Sequence, residues 1–180
     1  SFALLRTNRY YVSVNPDNPT MRRHRTFGVD QAGVYDFVAS VVQQYGNQYS
    51  SLMLMETAPN YYSGNITVSP DHSNAVYAEM LEGTHTDMVG SLKDIGYVMQ
   101  RNLHTGRFEY SFDDAVMRQA MYRTVTTIPH TVVQDHGQTF ESRGWQFHPG
   151  YYEFTLVKNE NNFLQPVFLD YSDKPVFQVP

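Results

Sequence analysis

Tyr151-Tyr152-Glu153-Phe154-Thr155-Leu156-Val157, then Lys158-Asn159-Glu160-Asn161-Asn162, then Phe163-Leu164-Gln165 is the stretch on which the fold turns. The first run is aromatic and β-branched, the composition of a strand. The polar middle reads as a short hairpin loop. A loop closing around Asn159 sets Glu153 opposite Gln165 on one face, with Cβ atoms roughly 5 Å apart. A carboxylate and an amide oxygen then converge from neighbouring strands. Two hard oxygen donors so placed can hold Mg²⁺ against a phosphate chain. The plainer reading is a solvated sheet face carrying one Glu and one Gln.

Outward from the hairpin, the chain alternates strand and helix signals. Tyr10 to Val14 reads as a strand, closed by the turn Asn15-Pro16-Asp17-Asn18-Pro19. Asp30 is a candidate N-cap for a helix to Tyr45, with Val34, Phe37, Val38, Val41, Val42 and Tyr45 on one face and Gly46 as the stop. Leu52 to Glu56 reads as a buried strand. Ile95 to Arg101 and Arg107 to Tyr110 read as strands around the turn His104-Thr105-Gly106. Asp113 to Val125 has helical spacing at Val116, Met117, Ala120 and Met121. Val132-Val133 and Thr139-Phe140-Glu141 are short strand candidates. Trp145, Phe147 and Tyr151 supply an aromatic cluster. These elements predict an α+β fold, a mostly antiparallel sheet with two main helices. One domain is expected over residues 1–170, with 171–180 a surface tail.

Composition narrows the function classes. The 180 residues suffice for one domain with a real core. Net charge is −5, which disfavours a nucleic-acid partner. Cysteine is absent, so disulfides and thiolate metal sites are excluded. No apolar run approaches the roughly 20 residues that span a bilayer, so no membrane partner is expected. No signal peptide is visible and a cytoplasmic location is expected, although a start at Ser1 also fits a processed chain or a fragment. Arginine outnumbers lysine and tyrosine is abundant, a pairing suited to recognition surfaces and phosphate contacts. Arg22-Arg23-His24-Arg25 is the densest basic stretch, readable as a phosphate grip or a solvated loop. The seven histidines lack the i, i+2 or i, i+4 spacing of a preassembled metal site. Neither a Walker loop nor a Gly-x-Ser-x-Gly elbow is present.

Three segments resemble the ATP-grasp domain of pyruvate phosphate dikinase and phosphoenolpyruvate synthase. Glu153-Phe154-Thr155 and Phe163-Leu164-Gln165, with Glu153 and Gln165 twelve positions apart, are similar to the family's closing Asp-Ile-Glu-Phe/Trp, hairpin and Leu-Gln-x-Arg. Tyr151 stands where the family has Asp, and Val167 where it has Arg. Ser63-Gly64, Thr67, Pro70, Glu79, Gly83, Asp87, Val89 and Gly90 follow the family's order and nearly its spacing, with its second loop glycine missing. Arg6-Thr7 is similar to its Val-Arg-Ser-Ser strand, with Arg9 the alternative.

The resemblance implies the C-terminal, nucleotide-binding half of an ATP-grasp domain, with the lid subdomain missing. It implies ATP and Mg²⁺ as cofactors and dikinase-like phosphoryl transfer. Glu153 and Gln165 would hold the metal, Arg6 would be the catalytic and phosphate-binding group, Glu56 would approach the adenine, and Glu79 the ribose or the metal. Glu79 and Glu82 would share the mouth of the glycine-containing loop. Partners would be the nucleotide and further domains or chains of a larger assembly. A different class stays open: a structural or interaction protein, such as a virion or phage component, with no nucleotide site. Low lysine, many Tyr and Asn and the absence of cysteine fit it. Whether Glu79, Glu153 and Gln165 converge on one cleft separates the two.

Overall fold

Asp30 starts the first helix as its spacing predicts: its carboxylate accepts the Gly33 N–H at 2.8 Å, satisfying one donor that the helix leaves open. The structure, a computed structural model, describes residues 5–58, 60–70, 75–84, 94–128 and 147–173. Within them the fold is α+β, with two helices and mostly antiparallel sheets. The chain divides into two compact units, Ser1–Pro59 with Val157–Phe163, and Asn60–Leu156 with Leu164–Pro180. Each unit has its own hydrophobic cluster.

The first unit holds β1 (Tyr10–Pro16), β2 (His24–Val29), α1 (Gln31–Tyr45) and β3 (Tyr49–Glu56) in a sheet of order β2-β1-β3. Both pairings are antiparallel, with Val12 opposite Thr26 on one side and Leu54 on the other. α1 buries Val34 and Val41 against Val12, Val14 and Tyr49. Gly46 at φ +63° closes it, its N–H reaching the Val42 carbonyl. Two expectations change here. The basic tetrad is loop only in its first half: Arg22 and Arg23 are exposed ahead of β2, while His24 and Arg25 open that strand and His24 stacks on Tyr45 at 4.6 Å. β3 is not a buried strand. It lies at the sheet edge, where Leu52 and Leu54 stay 52% and 48% exposed.

The second unit holds β4 (Asn60–Val68), β5 (Val76–Glu82), β6 (Tyr97–Arg101), β7 (Phe108–Tyr110), α2 (Ala115–Thr126), β8 (Gly150–Lys158) and β9 (Leu164–Ser172). The sheet order is β7-β6-β5-β4-β8-β9. Asn102 builds the β6–β7 turn by accepting from the His104 and Thr105 amides. α2 sets Met117, Met121 and Val125 against Ile66, Met80 and Phe154, all fully or nearly fully buried. Ile66 pairs with Ala78 and Val68 with Val76, so these positions share the core face. The alternating positions, Asn65 opposite Glu79 and Thr67 opposite Tyr77, therefore face the other side.

The hairpin that anchors the sequence closes later than expected. The Asn159 N–H bonds the Phe163 carbonyl at 3.0 Å, and the Asn162 N–H bonds the Asn159 carbonyl at 2.9 Å. Asn162 takes φ +62°, a conformation Asn tolerates in tight turns. At the other end, a Cβ on Gly150 would lie 2.8 Å from the Ser172 carbonyl, so Gly150 sits beside Ser172. Continued regularly from the turn, the Asn159–Phe163 pairing sets Glu153 opposite Leu169. β9 also runs into the expected tail, because Tyr171 packs on Tyr152 at 4.9 Å. Pro59, Asp87, Val89, Gly90, the strand candidates at 132–133 and 139–141, Trp145 and the tail from 174 lie outside the described residues.

Candidate functional site

β5, β4 and β8 are neighbours, and their non-core positions gather polar side chains. β4 and β8 run antiparallel: the Thr155 hydroxyl donates to the Tyr62 carbonyl at 2.9 Å, and Gly64 meets the Phe154 ring. Ser63-Gly64, singled out in the sequence, is structural here. The Ser63 hydroxyl donates to the Gly83 carbonyl at 2.9 Å. A Cβ on Gly64 would lie 2.5 Å from both the Glu79 carbonyl oxygen and Phe154 Cζ, so only glycine lets the ring and strand approach.

Tyr151 marks where the acids meet. Burial first, then the Glu153 carboxylate, hold its hydroxyl above the ordinary tyrosine range. A hydrogen bond with Asn65 pulls the other way, while the Glu79 and Asp170 carboxylates add to the rise. One phenol therefore feels Glu153, Glu79 and Asp170 together. Glu79 also accepts a hydrogen bond from the Tyr77 hydroxyl at 3.2 Å, and Tyr77 is raised by burial and then by that carboxylate. The face is acidic, half-buried and rimmed by phenols.

Not every expected group reaches this face. Gln165 lies on β9, four residues from the position opposite Glu153, or about 13 Å at strand rise. The expected Glu153–Gln165 metal pair is therefore out of opposition, because the loop closes on Asn159–Phe163. Gln165 is also buried, at 5% exposure. Glu82 sits three residues from Glu79 on one strand, so the two acids project to opposite faces.

In the first unit, Glu56 and the Arg6 segment do meet. The Asn8 N–H donates to the Glu56 carboxylate at 3.0 Å, and the Thr7 hydroxyl lies 3.4 Å from it. The Thr7 hydroxyl also donates to the Thr57 carbonyl. Arg6 is exposed, with φ +50°. Glu56 thus orders this loop through backbone and hydroxyl contacts, a role the adenine-pocket expectation did not include.

The described residues contain no group of three or more His, Asp or Glu able to hold a metal by themselves. That excludes an all-protein cage among them. Glu79 on β5 and Glu153 on β8 lie on strands that flank β4. Sequence reading found both acids but missed Asn65, Tyr77 and Tyr151. The usable signal was alternation along β4 and β5, which puts Asn65 and Glu79 on the non-core side. No family model, curated protein or solved structure matches the chain.

Proposed function

We propose that the chain binds a nucleoside triphosphate with Mg²⁺ on the acidic face of the six-stranded sheet, as a domain or fragment of a dikinase-like phosphotransferase. The observation that supports this reading is geometric: β5, β4 and β8 are adjacent, and Asn65 pairs with Glu79 beside the strand that carries Tyr151 and Glu153. Those strands hold two of the three segments that resemble the dikinase ATP-grasp domain. Bound Mg²⁺ would neutralise phosphate charge, and phosphoryl transfer needs little else from a protein beyond positioning. Glu79 and Glu153 hold the metal, Asn65 orients the Tyr151 hydroxyl, and the phenols offer donors to phosphate or ribose oxygens. Arg6 and Glu56 belong to the other unit, and the reading does not depend on them.

Calorimetric titration with ATP and Mg²⁺ tests it, beside Glu153→Ala and Glu79→Ala. Metal-dependent binding that both variants abolish is the expected result. Heat that persists in both variants, or that needs no metal, removes the acidic face from the reading. No heat at millimolar ATP transfers support to the second reading, an interaction protein. The half-exposed Leu52 and Leu54 on edge strand β3 favour that one, since the strand carries neither lysine nor proline to block pairing.

A further inference from the structure

On the core side of the same sheet, at its β7 edge, a cavity of about 710 Å³ opens between the β6–β7 turn and α2. Phe108, Tyr110, Tyr122 and Phe147 line it, with Arg107 at the rim. Phe108 stands edge-on to Tyr122 at 5.8 Å and tilted to Phe147 at 6.2 Å. Arg101 lies opposite Phe108 across the strand pair, its guanidinium 6.0 Å from the Phe147 ring.

The charges there are unbalanced. Arg118, nearby, is fully engaged: it pairs with Asp113 at 2.8 Å, donates to the Phe112 carbonyl and covers the Tyr110 ring. Among the described residues, Arg101 and Arg107 have no such carboxylate, and the buried Arg101 Nε has no hydrogen-bond partner. Glu109, the nearest acid in sequence, points to the opposite face and accepts from the Asn102 amide at 2.6 Å. Among the described residues, two guanidinium groups thus stand without a carboxylate partner near an aromatic-lined cavity, in a protein of net charge −5. Buried donors ordinarily find acceptors, and guanidinium forks match carboxylate and phosphate oxygens.

We propose that this cavity binds a small planar anion, an aromatic ring bearing a carboxylate or phosphate. The ring lies against Phe108, Tyr122 and Phe147, and the acidic group takes Arg107, with the Arg101 guanidinium behind the Phe147 ring adding positive charge. The cavity volume falls in the range of small-ligand sites, and edge-on and tilted rings with a guanidinium on the flank suit such a ligand. The site is on the other face of the sheet from Glu79 and Glu153, so it stands whether or not that face takes a nucleotide.

The test is calorimetric titration of the full chain in EDTA with 1-naphthoate and, separately, with adenosine 5′-monophosphate. Binding of either ligand is expected, and the stronger one identifies the acid group. Arg107→Gln, at an exposed turn position, should weaken it about tenfold, the worth of one charged hydrogen bond. Tyr122→Leu should weaken it through the lost ring, and 1-naphthamide should bind at least about tenfold less tightly than 1-naphthoate. Equal affinity for the neutral amide, indifference to Arg107→Gln, or no binding of either acid at millimolar concentration overturns the proposal. Working in EDTA keeps this outcome separate from the Mg²⁺-dependent titration.

Discussion

The two units solve one packing problem with different margins. In the first, a single helix covers a three-stranded sheet, and the covered positions centre on Val12, Val14, Val34, Val41 and Tyr49. The edge strand there leaves two leucines about half in water. In the second, six strands share one core face, and Ile66, Met80, Met99, Phe154 and Leu156 lose all solvent contact. Stabilisation scales with apolar area removed from water, so the second unit carries the larger driving force. The lesson concerns where chemistry can sit. A deep core frees the reverse side of the sheet to carry half-buried acids, whereas the shallow unit uses the half-buried Glu56 to hold the Thr7–Asn8 segment.

The sharpest way to break that contrast is Gly64→Ala. The new methyl group meets backbone on one side and the Phe154 ring on the other, and neither is the loose end of a side chain. Loss of about 3 kcal/mol or more is expected, at the top of the range for overpacked cores. Thermal melting with the far-ultraviolet signal checks it. A variant that melts within a degree or two of the parent would mean that β4 and β8 are less closely apposed than the register requires.

Next in size is a matched pair of truncations. Leu156→Ala removes a side chain with no exposure from the six-stranded unit, and about 2–5 kcal/mol is expected to go with it. Leu54→Ala removes a side chain 48% exposed from the three-stranded unit, and about 1 kcal/mol or less should be lost. Chemical denaturation of both variants gives the ratio directly. Equal losses would show that β3 is covered in solution, which also bears on the interaction-protein reading.

Much of this is legible in the amino-acid sequence. Helical spacing placed both helices within a residue or two, because apolar residues recur at the period of the turn and Asp stands at each start. The β6–β7 turn and the final hairpin could also be read from their turn residues. Three things could not. The hairpin register depends on which polar residue takes the left-handed conformation, and in Asn159-Glu160-Asn161-Asn162 three asparagines compete for it. A shift of four in the summed register kept Glu153 and Gln165 on one face while moving them far apart, so alternation alone gave no warning. The depth of β3 is not legible because Leu-Met-Leu-Met looks the same in the middle of a sheet and at its edge. The aromatic cavity was invisible because Arg101, Arg107, Tyr122 and Phe147 come together only after β6, β7, α2 and the chain before β8 have packed.

The smallest expected effect sharpens the comparison most finely. Asp114 caps α2 by accepting from two amides, Val116 at 2.9 Å and Met117 at 3.1 Å, while Asp30 caps α1 through the Gly33 amide. Losing an N-cap carboxylate costs about 1 kcal/mol, with doubly bonded caps toward 2. Asp114→Ala should therefore destabilise more than Asp30→Ala. Residue-resolved amide hydrogen exchange separates the two, since local opening is read helix by helix. Asp30→Ala should lower protection along α1 and leave α2 near its original value, because the two helices serve separate cores. If α2 amides lost as much protection as α1 amides, the two cores would be opening together, and the division into a shallow and a deep unit would describe packing but not stability.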